Sequence, residues 1–303
     1  MDKTADGGLK TIGQVVRELS DEYEDITHSS LRFLEREKLV EPERTPGGHR
    51  LYSPYHVERI RQIKEWQKSR LSLDEIRHRL IAADTLDPPE SLARQFLTHA
   101  IAGDLPGAQK VILHADELGL PLMTTFEYVL KPALYDLGDR WEGGELSVGQ
   151  EKEISALARD LIAELSLRHA STEWRPESII AACVPGEYHE LGLRMVAGVL
   201  QSRGYVVHYL GPNVDAEFLI ERINHRKPSA VLLTATRDEH VPAIISTVTE
   251  VREAIPPHLT PPIVVGGQVV RANEDRLRDL SVATAPNTSI QETIDAITRS
   301  IRS

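Results

Sequence analysis

From Ser178 onward, short β-branched runs alternate with helical stretches, and this alternation constrains the fold more than any other feature of the chain. The runs are SIIAACV, YVVHYL, SAVLLT, PIVVGG and a weaker SVATA. Strands separated by a helix pair in parallel, because the connection must cross back over the sheet before the next strand begins. Five such units predict a doubly wound parallel sheet, with ligands received beyond the C-terminal ends of the strands.

The preceding chain is helical. Between Leu92 and about Ala170, breaks at Gly103-Asp104, Gly119-Leu120-Pro121 and Gly143-Gly144 leave four helices, matching an up-and-down four-helix bundle. Nearer the start, Ile12, Val15, Val16 and Leu19 mark one buried helical stripe, and Thr27 is placed to cap a second helix carrying Leu31 and Leu34. The segment ERTPGGHRLYSP then sets a Gly-Gly pair between two short extended runs, which predicts a hairpin. Two further amphipathic helices follow, with Val57, Ile60, Ile63 and Trp66 on one and Leu73, Ile76 and Leu80 on the other. The two prolines of TLDPPES make the best linker. The expected divisions are 1–81, a linker 82–91, a helical domain 92–172 and a sheet domain 173–303.

Composition narrows the function classes. A single cysteine among 303 residues excludes an internal disulfide framework and a cysteine-built zinc site. No apolar run approaches the roughly 20 residues of a membrane span, and the polar start lacks a secretory core, so a cytoplasmic protein with no membrane partner is expected. The net charge of −11 disfavours nucleic acid for the chain as a whole. Its first 80 residues are nevertheless charge-balanced, and bases outnumber acids between Arg32 and Arg70, enough for a local phosphate-facing surface.

A helix, a turn, a second helix and a Gly-Gly hairpin form a compact unit whose donors can grip phosphates while the second helix enters a major groove. The stretch SLRFLEREKLVEPERTPGGHRLYSPYHVERI resembles the N-terminal domain of the MerR family of regulators, over about residues 10–80. The resemblance implies a dimeric winged helix-turn-helix that binds promoter DNA, with Arg32 from the second helix and Arg44, His49, Arg50 and Tyr52 from the wing touching it. The stretch between Leu19 and Leu31 is longer than the family pattern, which alters the turn between the helices.

In the sheet domain the loop after the first run reads PGEYHELG. Glu187 can accept a proton from one nitrogen of His189 and leave the other free for a metal; alternatively His189 simply opens a helix beside a solvated acid. The domain resembles the cobalamin-binding domain of corrinoid enzymes and sensors, a flavodoxin-like Rossmann-type sheet. The matching residues are Glu187-Tyr-His189-x-x-Gly192, Thr234-Ala-Thr236 and Gly266-Gly267. The resemblance implies His189 as the lower cobalt ligand, with the nucleotide tail threaded past Thr234, Thr236, Gly266 and Gly267. Within the MerR family, the chain is similar to the cobalamin-dependent photoreceptors of the CarH/LitR type. In these the helical bundle caps the upper face with a Trp, nine residues, then Glu-His. Here the stretch is Trp141, nine residues, then Glu151-Lys152. By resemblance Trp141 and Val148 wall an adenosyl pocket and Glu151 accepts from the ribose hydroxyls, while Lys152 departs from the family His.

These expectations describe a non-enzymatic, cobalamin-dependent transcriptional regulator and homo-oligomer, dimer or tetramer. It is expected to be a light-responsive repressor using adenosylcobalamin, whose photolysis changes oligomeric state and DNA binding. A light-independent sensor taking methyl- or hydroxocobalamin is the alternative. A corrinoid carrier or methyltransferase subunit is disfavoured, because no length remains for a catalytic barrel of about 250 residues and a carrier has no use for a wing.

Overall fold

The computed structural model describes residues 9–285 and 289–302, apart from the side chain of Arg278. Two compact units are present, meeting in sequence between Ala133 and Leu134.

The first unit opens with β1 (Lys10–Thr11), α1 (Ile12–Leu19) and α2 (His28–Arg36). Thr11 and Thr27 cap these helices as reciprocal capping boxes, each hydroxyl satisfying an otherwise orphaned backbone donor of the first turn. A hairpin of β2 (Glu43–Arg44) and β3 (Arg50–Tyr52) follows, and β1 pairs with the other side of β3, giving an antiparallel three-stranded wing. Gly48 takes a φ of +80° at the tip, where a side chain would be strained. The helices α3 (Pro54–Lys68) and α4 (Leu73–Asp84) close a core that holds Val15, Leu19, Leu31, Leu34, Tyr52 and Ile60.

The long α1–α2 turn is fastened by α3. Tyr23 and Ile26 enter the core, and the buried Arg61 clamps Glu22 through both carboxylate oxygens at 2.9 and 3.0 Å. Arg61 also reaches Glu18 of α1 at 3.1 Å and bonds Glu58 of its own helix, while Lys64 bonds Asp25. A guanidinium has the five donors this arrangement requires.

After α4 come α5 (Pro89–Ile101), α6 (Leu105–Glu117), α7 (Leu122–Thr124) and a π-helical segment, Thr125–Leu130, that continues into α8 (Lys131–Glu142). The breaks fall where the glycines predict them; the π segment was not legible. Within the first unit α3 meets the α6–α7 turn, where Gln62 donates to the Gly119 carbonyl at 2.8 Å.

The second unit holds α9 (Val148–Arg168) and the five-stranded parallel sheet: β4 (Ser178–Cys183), β5 (Val206–Gly211), β6 (Ala230–Thr234), β7 (Ile263–Gly266) and β8 (Ala283–Thr284). The helices between and after them are α10 (Leu191–Ser202), α11 (Ala216–Arg226), α12 (Val241–Ala254), α13 (Val269–Ala272), α14 (Glu274–Arg278) and α15 (Ile290–Arg302). Strand order β5-β4-β6-β7-β8 puts the reversal of winding between β4 and β6, so the crevice lies where the loops after these two strands separate. The doubly wound sheet is as the alternation predicts. Among the described residues no helix is long and apolar enough to cross a membrane.

Arg61→Met is expected to lower stability by about 3–5 kcal/mol in urea unfolding, because three carboxylates lose their common cation. A loss below about 1 kcal/mol, the range of an exposed ion pair, would show that these carboxylates are adequately solvated without it.

Candidate functional site

The strand-end site of the second unit is built around Glu187. The loop leaving β4 turns back on itself, and Glu187 is fully buried within it. Its Oε1 accepts from the His189 ring Nδ1 at 2.6 Å and from the His189 backbone N–H at 2.7 Å. Its Oε2 accepts from the backbone N–H of Thr236, in the loop after β6, and from the His240 Nδ1 at 3.2 Å. Burial alone would raise the carboxyl pKa, but the His189 and Thr236 hydrogen bonds outweigh it and hold the group at about 2. Glu187 is therefore ionised at any ordinary pH, and its oxygens can only accept. His189 must present an Nδ1–H to it, which leaves Nε2 as the free nitrogen of the neutral ring. The His189 side chain is 54% exposed, so that nitrogen is available. Hydrogen bonding to Glu187 raises the His189 pKa, burial opposes this, and the charges of Arg237 and Glu151 act in opposite directions on it.

Glu190, the next residue, is a second hub. It accepts from Tyr209 Oη at 2.7 Å and from Arg159 Nε of α9 at 2.8 Å, so the histidine loop is tied to α9. Sequence reasoning missed Glu190, His240 and Arg237. His240 is six residues beyond Thr234, and no spacing pattern marks it as a partner of Glu187.

Thr234 ends β6, with its hydroxyl toward Cys183 Sγ at 3.5 Å, and Thr236 contributes its backbone rather than its hydroxyl to Glu187. Gly192 lies in the first turn of α10 facing open space. Gly266 and Gly267 end β7, yet they differ. A Cβ on Gly267 would sit 1.9 Å from the Ala235 carbonyl oxygen, and its φ is +102°, whereas one on Gly266 would meet nothing nearer than 3.6 Å. Close approach of two backbones, and not only space for a ligand, demands glycine at 267.

The upper-wall candidates belong to the same unit. Trp141 is half-buried near the end of α8, Val148 opens α9 at 54% exposure, and Ser147 caps that helix. Glu151 accepts from Ser155 Oγ at 2.7 Å and lies close enough to His189 for its charge to act there. Lys152 is exposed. Arg237, from the loop beyond Thr236, stands 3.8 Å from Glu142, the neighbour of Trp141.

These residues fit a corrinoid. Among the described residues no three His, Cys, Asp or Glu side chains converge to hold a bare metal ion. One oriented imidazole suits a metal whose equatorial positions a macrocycle already fills.

In the first unit Arg32 and His49 are exposed, on the second helix and the wing. Arg44 and Arg50 both bond Glu35 of α2. Tyr52, expected to touch DNA, is 1% exposed and packs in the core, with no hydrogen-bond partner for its hydroxyl, so its ring supports the wing from beneath. Burial raises its pKa, Glu35 adds to this, and the charges of Arg50, Arg32 and Arg44 oppose it.

Gly267→Ala is expected to cost about 3 kcal/mol or more, the range of substitutions that strain a special backbone site. Gly266→Ala should cost about 1 kcal/mol or less. Paired urea melts check the contrast, and equal losses would contradict it.

Residues 177–292 match the B12 binding domain family, residues 92–166 match a second family also described as a B12 binding domain, and residues 11–82 match the MerR HTH family regulatory proteins. The HTH-type transcriptional repressor CarH of Myxococcus xanthus is 30% identical over 261 residues, 80% of this chain and 85% of that protein. The repressor CarA of the same organism is 26% identical over 246 residues, 80% of this chain and 82% of its own. A solved structure of the Methanosarcina barkeri monomethylamine corrinoid protein shares the fold with a TM-score of 0.57 at 17% identity, covering 71% of this chain and 99% of that one. With its wing, its strand-end histidine and a repressor relative spanning most of both chains, the chain belongs to the MerR-type transcriptional regulators that carry B12-binding domains.

Proposed function

We propose that this regulator binds adenosylcobalamin and uses it to control repression of promoter DNA in response to light. The observation that carries the proposal is the Glu187–His189 pair, a buried anion that fixes a half-exposed imidazole with one nitrogen free at the sheet's switch point. When bound, adenosylcobalamin supplies a light-labile cobalt–carbon bond, a property of the cofactor and not of the chain.

The chain's own residues do the rest. His189 would hold the metal through its free Nε2, and Glu187 keeps the proton on Nδ1. Gly192, Thr234, Thr236, Gly266 and Gly267 line the path of the nucleotide tail. Trp141 and Val148 exclude water from the upper face, where Glu151 accepts from sugar hydroxyls. Arg32, His49, Arg44 and Arg50 face DNA. The roles divide as 1–81 for DNA, 82–91 as linker, 92–172 for the upper face and 173–303 for the corrinoid. A ligand that binds one arrangement of a homo-oligomer better than another shifts the population toward it, and linked DNA heads then gain affinity together.

A light-independent sensor for methyl- or hydroxocobalamin is the second reading, favoured by Lys152. An ammonium has no lone pair for a metal, and this one is exposed at the head of α9, in the position of the family histidine.

Two measurements test these readings. Protein incubated with adenosylcobalamin in the dark should co-elute with it, and green light should change both its absorbance spectrum and its hold on promoter DNA. A protein that takes only methyl- or hydroxocobalamin supports the second reading. His189→Ala should abolish co-elution; equal loading with an identical spectrum would remove His189 as the ligand.

A further inference from the structure

Glu35 stands out on the face of the first unit that presents the arginines. It is an acid, 18% exposed, on a surface meant for a polyanion. Each of its oxygens takes one wing guanidinium, Arg44 through Nη2 and Arg50 through Nε. Arg44 ends β2, Arg50 opens β3, and they are opposite each other in the hairpin register. Two like charges on one rung repel, and a single carboxylate from the neighbouring helix cancels that repulsion while fastening both strands of the wing to α2. Burial would raise the Glu35 pKa, but the hydrogen bonds and charges of Arg50 and Arg44 lower it, so it stays ionised. Each arginine spends one nitrogen on Glu35 and keeps its remaining donors for another acceptor. Arg32 is one turn back on α2, on the same side as Glu35.

We propose that Glu35 is a positioning residue that sets sequence discrimination: it fixes the wing arginines relative to Arg32 and the second helix, and its negative charge weakens attraction to DNA of any sequence. This rests on the DNA-binding reading above. A surface bearing free arginines would bind all duplexes through phosphate neutralisation. Arginines held at fixed angles to a groove-reading helix accept only a duplex whose backbone follows the same path.

The test is Glu35→Gln in the full-length protein, which keeps the shape and removes the charge. Two probes are used, a duplex enriched by the wild-type protein from a random pool, and poly(dI-dC). Affinity for the enriched duplex should fall about tenfold, in the range of losing hydrogen bonds to a charged group. Affinity for poly(dI-dC) should rise, with its salt slope steeper by about 0.9 for each added phosphate contact. Affinities that both fall would indicate a purely structural residue, and affinities that both rise would indicate simple repulsion; either overturns the proposal. A DNA-free arm follows the Arg50 Nε–H by nitrogen-15 NMR, where Glu35→Gln should speed its exchange with water. Unchanged exchange also overturns the proposal. If the wild-type protein enriches no duplex, the DNA-binding reading falls and the proposal with it, a result distinct from a normal enrichment followed by the wrong response in the variant.

Discussion

A fully buried carboxylate, Glu187, holds together the part of the molecule on which the ligand chemistry depends. It joins two loops that the sheet's topology would otherwise let diverge, because the β4 and β6 ends are where the winding reverses. An unpaired carboxylate in that position would cost several kcal/mol and would take up a proton instead. Four donors from three residues prevent this, and the two that come from His189 also orient its ring, while those from Thr236 and His240 hold the carboxylate in place. Loop closure and ligand orientation therefore have one cause, and a change that loosens one loosens the other.

Much of this was legible in the chain. The alternation after Ser178 predicted all five strands, and the glycine breaks predicted the helix ends at Ile101, Glu117 and Glu142. Both features act locally, through backbone preferences that need no knowledge of distant residues. The Glu187–His189 contact was also readable, since an acid two residues before a histidine reaches it within a single loop. Contacts made across the fold were not. Arg61 falls within the Arg32–Arg70 stretch whose basic excess suits phosphate, yet it is buried among Glu18, Glu22 and Glu58. Tyr52 sits in a polar wing motif and is core: its ring lies at the end of β3 in the cluster that Leu31, Leu34 and Val57 form from the helices, a contact across the fold. The strand β1 has no signal in the sequence, because two residues carry no period and only pairing with β3 defines them.

The glycines of the third motif show how a correct residue can be chosen for an incomplete reason. Gly266 and Gly267 read as a pair whose missing side chains leave space for a ligand. The structure separates them, since Gly267 lies against the Ala235 carbonyl on the adjoining loop and Gly266 does not crowd anything. Ala235 is flanked by Thr234 and Thr236, and the Thr236 N–H bonds Glu187. The glycine motif, the threonine motif and the acid–histidine motif are thus consecutive links of one chain of contacts: Gly267 to Ala235, Thr236 to Glu187, and Glu187 to His189.

Both units solve the same physical problem with opposite signs. In the first, a buried cation, Arg61, gathers three carboxylates from two helices and a turn; in the second, a buried anion, Glu187, gathers donors from two loops. Neither arrangement gives much net stability over a well-packed apolar substitute, because desolvation cancels most of the attraction. What a directional, fully satisfied charge does supply is a penalty for every alternative arrangement, since any displacement strands a buried ion. An apolar contact at the α1–α2 turn or at the strand ends would allow sliding by a fraction of an ångström at little cost. A clamp on the α1–α2 turn keeps the second helix at one angle to the wing, and a clamp on the strand-end loop keeps one imidazole nitrogen aimed outward. In each unit the buried charge is one step removed from the residues that would touch a ligand, and it determines where those residues point.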